Sequence, residues 1–287
     1  MPARLIINAD DFGLTQGINR AVAELHDAGA LTSATLMASG PAFEDAVEVA
    51  RSRPNLGVGC HIVLTDGVPV SPPESIPTLL GPDRRSFRPS LREFVQAVLL
   101  GRVREADLAR EMLAQIEKLQ RAGIRITHLD THKHTHLLPQ VGRTLLAVAE
   151  RAGIHAVRDP FEPHWSRALA HGARSRQLAV GAMTVLRPAF KAHRQIRTGA
   201  VLTTEGTVAI SATGNLTAAT LTEILQALPA SGIYELCCHP GYNDASLDRV
   251  TTRLRAHRDV EREALLSVVP PTVHASGLHL IRYSDLR

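Results

Sequence analysis

Short apolar runs of strand length recur along the chain, separated by longer stretches in which apolar residues return every three or four positions. The runs at 4–9, 32–37, 57–63, 124–129, 154–158, 200–204, 233–238 and 278–282 predict strands. The clearest helical pattern covers 105–122, where Leu108, Met112, Ile116 and Leu119 share a face and Gly123 supplies a left-handed stop. A second helix follows Pro139, with Leu145 and Val148 inward and Gly153 at its end. A third begins at Thr217, a plausible N-cap, and places Leu221, Leu225 and Leu228 together.

Strands alternating with helices predict parallel pairing through crossover helices. Seven or eight such units fit a TIM-like (β/α) barrel, distorted or incomplete, better than an open Rossmann sheet, and no GxGxxG follows the first strand. Pro69, Pro72, Pro73, Pro77, Pro82 and Pro89 crowd the stretch 66–90, which reads as a loop or lid.

Length changes the picture little: 287 residues suit one large α/β domain spanning 1–287. With 44% apolar and 21% charged residues, the chain is globular and not disordered. One Trp, three Tyr and six Phe are too few for a surface that stacks single-stranded nucleic acid. The net charge of +4 is concentrated. No acidic residue lies between Glu162 and Glu205, while Arg167, Arg174, Arg176, Arg187, Lys191, Arg194 and Arg197 all do. Interleaved with Trp165, Leu169, Leu178, Val185 and Phe190, these cations make 160–200 a basic insertion or substrate-docking segment suited to an anionic membrane interface, or else a barrel helix with a solvated loop.

Cys60, Cys237 and Cys238 form no disulfide framework, and the adjacent pair reads as core. The N-terminus runs directly into Leu5-Ile6-Ile7, without a signal-peptide pattern, and no apolar run reaches membrane-spanning length. The expectation is a cytoplasmic protein, with peripheral contact at the inner face of the membrane.

Candidate chemistry collects at strand ends. The first strand closes in Asn8-Ala9-Asp10-Asp11-Phe12-Gly13, two adjacent carboxylates at the edge where parallel α/β folds put their sites. A cation is one reason to keep both, so that one ligates and the other acts as a base; a helix cap and turn is the other. His61 ends the third strand, as a ligand or a packed histidine. In Thr127-His128-Leu129-Asp130-Thr131-His132-Lys133-His134-Thr135-His136, alternation in an extended backbone sends His128, Asp130, His132, His134 and His136 to one face. Imidazole and carboxylate are the ligands of catalytic zinc and similar ions, and His128 and His136 are candidates for fixing ring orientation instead. His239 ends the strand before Pro240-Gly241-Tyr242, where it could donate a proton to a leaving group. Arg158 either orients a carboxylate or pairs with Asp159 at the surface.

Together, NADDFG at 8–13, GCHIVLT at 59–65, HLDTHKHTHLLP at 128–139, VR at 157–158 and CCHPGY at 237–242 resemble the YdjC-like carbohydrate deacetylase family over almost the whole chain. The resemblance implies an incomplete β/α barrel related to polysaccharide deacetylases, with one divalent ion held by an aspartate and two histidines. Matched motif by motif, those ligands are Asp11, His61 and His132. Asp10 then looks like the general base and His239 like the general acid, while His134, Asp130, Arg158 and His128 become substrate-binding or supporting residues.

The basic stretch and the segment 84–104 look most like the hopanoid-biosynthesis-associated branch, which implies an N-acetylglucosaminyl lipid as substrate. The metal is zinc or magnesium by this reading, with manganese and cobalt also compatible with the donors. An N-acetylated sugar or glycolipid is the expected partner, nucleic acid is not, and the oligomeric state stays open, a homodimer included. A phosphoesterase or other amidohydrolase using the same ligands, or a non-catalytic metal or sugar binder without need of Asp10, are the rival readings.

Overall fold

The computed structural model describes residues 4–286 apart from 171–173 and 197–200, and of 174–176 and 193–196 only the backbone. The first half of the chain is built from β1 (Arg4–Phe12), α1 (Gln16–Asp27), β2 (Ser33–Leu36), α2 (Phe43–Arg51), β3 (Gly57–Ile62), α3 (Leu91–Leu99), α4 (Glu105–Arg121), β4 (Ile126–Thr131) and α5 (Pro139–Arg151). The second half contributes α6 (His164–Leu169), α7 (Arg174–Met183), α8 (Arg187–Ile196), β5 (Thr207–Val208), α9 (Ala218–Gln226), β6 (Ile233–Cys238), α10 (Ala256–Ser276) and β7 (His279–Leu280).

All pairings among the named strands are parallel, in the order β4-β3-β2-β1-β6-β5, with β7 also on β1. β1 is the central strand, and covering on both faces explains why its apolar run is continuous rather than alternating. The sheet curls as the sequence predicts, into a distorted, incomplete barrel. The expected strands at 154–158 and 200–204 are reduced to single bridges, Leu129 to Val157 and Ala156 to Leu202. Residue 200 itself lies outside the described residues. Backbone bonds from Arg158 N–H to Leu129 O (3.0 Å), Val157 N–H to Leu202 O (3.0 Å) and Glu205 N–H to Ile233 O (2.8 Å) carry the curl round this weak side.

The helical expectations hold at their ends. Thr217 caps α9 by accepting from Thr220 N–H, Pro139 opens α5, and Gly123, at φ 77°, follows α4. Leu108, Met112, Ile116 and Leu119 of α4 are fully buried.

The proline-rich stretch 66–90 is a loop, but one pressed onto the body. Ile76, Leu79 and Phe87 are buried, and α4 anchors its backbone. The Glu111 carboxylate accepts from the N–H groups of Val70 and Ser71 (2.9 Å each), and Asp107 from Thr78 N–H (3.0 Å). In the basic segment, α8 packs on α5 with Phe190 buried, whereas Leu178 and Val185 are 74% and 77% exposed. The side chains of Arg174, Arg176, Arg194 and Arg197 lie outside the described residues. Among the described residues, no helix is long and apolar enough to cross a membrane.

Candidate metal centre and active site

The carboxyl ends of β1, β3 and β4 meet over the centre of the sheet, and they bring Asp11, His61 and His132 together. Asp11 Oδ1 lies 3.2 Å from His132 Nδ1 and 3.7 Å from His61 Nε2. A tetrahedral ion with bonds of about 2.0–2.1 Å separates its ligands by roughly 3.3 Å, so this spacing suits one. Asp11 Oδ1 is also buried without an aligned hydrogen-bond donor, which leaves it free to ligate. The trio can therefore hold a metal ion.

Each member is positioned for that task. Asp11 sits at φ 63°, a left-handed conformation uncommon outside glycine, which breaks the pairing of β1 with β2 between Ala9 and Phe12. Its other oxygen accepts from Arg258 of α10 at 2.6 Å. Burial opposes its charge, but Arg258 and His132 hold its carboxyl well below the usual range. His61 donates from Nδ1 to Asp130 Oδ1 at 2.7 Å, opposite it across the β3–β4 pairing, and this turns Nε2 toward Asp11. Burial disfavours the His61 cation, yet Asp130, Asp10 and Asp11 outweigh it and raise its pKa to about 9. His132 is the most exposed of the three, with 19% of its side chain accessible.

Asp10 points to the other side of the same strand end. Arg158 grips it with two bonds, Nη1 to Oδ2 at 2.8 Å and Nη2 to Oδ1 at 2.7 Å, and Asn8 adds a third at 3.0 Å. Burial would raise its pKa, but Arg158, with help from His61 and His239, keeps it well below the usual carboxylate value. Arg158 is fully buried and also reaches Asp130 Oδ2 (2.8 Å) and Glu235 Oε1 (2.6 Å). It is therefore no surface partner of Asp159. One guanidinium ties together three strand-borne carboxylates. His239 Nε2 lies 3.8 Å from Asp10 Oδ2 and its backbone N–H donates to Glu261 at 2.6 Å. Burial lowers the pKa of His239, with Asp10 and Glu261 partly opposing.

The histidine run departs from simple alternation. β4 stops at Thr131, and residues His132–Leu137 form a 3-10 turn with Lys133 (φ 56°) and His134 (φ 51°) both left-handed. Two successive left-handed residues destroy the period of two, so the five residues from His128 to His136 do not share one face. Thr131 fixes the turn by accepting from His136 N–H (3.1 Å) while its hydroxyl meets His136 Nδ1 (2.6 Å), and Lys133 pairs with Asp66 of the proline-rich loop.

His128 stands apart from the ligands. Its Nε2 meets Asn8 Oδ1 at 3.1 Å, and because the Asn8 amide nitrogen donates to Asp10, that oxygen must accept and Nε2 must carry the proton. The ring is stacked on Tyr283, with centroids 3.8 Å apart, and lies over Gly59, where any Cβ would come within 2.5 Å of it. His128 thus supports Asp10 through Asn8. His134 keeps a ring nitrogen within 4.8 Å of Asp10 and Cys237, and its Nδ1 is buried without a partner.

Arg258, Glu235, Glu261, Tyr283, Thr35 and Asn8 all serve this site and were not singled out from sequence, apart from Asn8 as part of NADDFG. Thr35 donates to Asp130 at 3.1 Å, and the Tyr283 hydroxyl donates to Glu235. A charged residue in mid-strand was the available signal for Glu235, because an unpaired carboxylate is rarely buried there. Arg258, in a polar helix start, offered none.

Known proteins resemble this chain in sequence and in fold. A carbohydrate deacetylase of Brevibacillus brevis is 30% identical over 284 residues, covering 99% of each chain. A carbohydrate deacetylase of Geobacillus stearothermophilus is 40% identical over 151 residues, or 53% of this chain and 58% of that one. Among solved structures, a proposed cellobiose-phosphate cleavage protein of Enterococcus faecalis is similar with a TM-score of 0.79 at 25% identity, covering 99% of both chains. The YdjC-like protein family matches residues 4–272, and the chain, carrying its motifs through almost its full length, belongs to that family.

Proposed function

We propose that this protein is a metal-dependent hydrolase that removes the acetyl group from an N-acetylated amino sugar, giving acetate and a free amine. The observation that carries the reading is the convergence of Asp11, His61 and His132 beside an ionised Asp10 at the mouth of the barrel. Relatives described as carbohydrate deacetylases support the substrate class. A divalent ion held by the trio supplies Lewis-acid polarisation of the acetyl carbonyl. The surrounding buried charges favour a cation: Asp10, Asp11, Asp130 and Glu235 outnumber Arg158 and Arg258.

Arg158 keeps Asp10 ionised and oriented, so that it can take the proton of the attacking water. His239, near Asp10 and with its charge disfavoured by burial, is when protonated a stronger acid than a free imidazolium and gives its proton to the departing nitrogen. His134, on the turn beside the ligands, contributes to the wall that faces the sugar.

Within this reading the substrate is an N-acetylglucosaminyl hopanoid lipid, met at the inner face of the membrane by the basic segment 160–200. Exposed Leu178 and Val185 among its cations support that contact. Zinc or magnesium would serve at the trio.

The test is to load the protein with metal and measure acetate released from N-acetylglucosaminyl lipid, from soluble chito-oligosaccharides and, as a control, phosphate released from cellobiose phosphate. Release from the lipid alone supports the full proposal, and release from the oligosaccharides alone moves the substrate to soluble sugars. Phosphate without acetate overturns the deacetylase reading. Asp10→Asn should lower turnover by about 10²–10⁴-fold while metal binding persists.

A further inference from the structure

One buried thiol is unaccounted for by the chemistry above. Cys237, at the end of β6, is 1% exposed, and its Sγ donates to Asp10 Oδ2 at 3.4 Å. Apolar packing alone would not aim a sulfur at a carboxylate. His134 brings a ring nitrogen so that ligand atoms of Asp10, His134 and Cys237 all lie within 4.8 Å of one another. His134 Nδ1 is buried with no hydrogen-bond partner. His134 is only partly buried, which opens a path from solvent.

We infer that Asp10, His134 and Cys237 form a second, sulfur-containing site for a thiophilic divalent cation such as zinc or cadmium, separate from the Asp11, His61 and His132 trio. Bonds of about 2.0 Å to oxygen and nitrogen and about 2.3 Å to sulfur place ligands roughly 3.3–3.6 Å apart, so the three atoms need close by little more than 1 Å. The ion takes the place of the thiol proton on Asp10 Oδ2, and that proton leaves to solvent. Arg158 can keep its grip, because a carboxylate offers about four lone-pair directions.

Donor chemistry separates the two sites. The trio has only oxygen and nitrogen donors and accepts hard or borderline ions, whereas a thiolate selects zinc, cadmium or cobalt over magnesium and manganese. An ion on Asp10 also occupies the proposed base, so excess zinc inhibits where excess magnesium does not. That consequence rests on the deacetylase reading; the binding does not.

The experiment is a cobalt(II) titration of metal-stripped protein followed by absorption. Asp/His/His ligation gives visible ligand-field bands alone, and a cobalt–thiolate bond adds a near-ultraviolet charge-transfer band. The expected result is visible bands with the first equivalent and the charge-transfer band with the second, the latter lost in Cys237→Ser and kept in Cys60→Ala and Cys238→Ala. His134→Ala should weaken the second binding event at least tenfold, a result that decides the matter if Cys237→Ser does not fold. Absence of the band with excess cobalt, its survival in folded Cys237→Ser, or unchanged affinity in His134→Ala overturns the second site. In each case the visible bands and acetate release still report on the trio.

Discussion

Replacing Arg158 with methionine tests the electrostatic frame of the site most directly. The wild-type guanidinium is fully buried and bonded to Asp10, Asp130 and Glu235 at 2.6–2.9 Å. Methionine matches its length and leaves Asp10 and Glu235 without the guanidinium, while Asp130 keeps only His61 as a cationic partner. Breaking a buried ion pair from one side costs about 3–5 kcal/mol. For a chain of this size, 1 kcal/mol moves the melting temperature by about 2–4 °C, so a fall of roughly 6–20 °C is expected.

The loss should depend on pH with a definite sign. In the wild type, Asp10 has a depressed pKa, and its contribution is present above the unfolded value and lost as pH falls. In the variant, burial without Arg158 raises the carboxyl pKa values of Asp10 and Glu235, which destabilises the folded state above the unfolded value. The gap in melting temperature is therefore widest near neutrality and narrows toward pH 4. Adding Glu235→Gln to Arg158→Met should recover about 1 kcal/mol or more, since the amide needs no cation. Calorimetry on metal-free protein reads all of this. An Arg158→Met variant that melts with the wild type at pH 7 would refute the argument that one guanidinium supports the three acids.

Four further outcomes follow from the same structure. Since His61 in the metal-free protein holds its proton up to about pH 9, metal must displace it: affinity should rise close to tenfold per pH unit below that value, with proton release seen by calorimetry in buffers of different ionisation enthalpy. The same raised pKa gives a stability contribution that is complete below pH 6.5 and disappears as pH approaches 9, a fall in melting temperature that His61→Asn should lack. Gly59→Ala drives a methyl into the His128 ring, and because that ring is held against Tyr283 it should cost about 1–3 kcal/mol and lower turnover through Asn8 and Asp10, with metal affinity little changed. Glu111→Ala strips the acceptors from two backbone N–H groups of the proline-rich loop, at about 1–3 kcal/mol for each, and should make 66–90 the first site of limited proteolysis.

Much of this was legible in the residues because parallel β/α folds put chemistry at strand ends. Asp11, His61 and His132 each follow an apolar run, so finding the runs located the side chains. The curled sheet was readable from the same alternation. Three features were not. The segments around Val157 and Leu202 look like strands in composition, but they pair only through isolated bridges, and pairing length depends on neighbours that no local pattern reveals. The histidine run looked extended because nothing in Lys133-His134 signals left-handed backbone; neither residue is Gly or Asn, the usual markers. Arg258 escaped notice since its role exists only once α10 folds back across β1, 247 residues from its partner.

That long-range contact bears on how the protein comes into being. Asp11 leaves the ribosome early, whereas the cation that neutralises it follows 247 residues later. Asp11, unlike His61 with its partner Asp130, is thus translated well before the group that orients it. Under the proposed metal-binding role, a fragment stopped before α10 would carry Asp11, His61 and His132 without Arg258 and should bind the ion poorly.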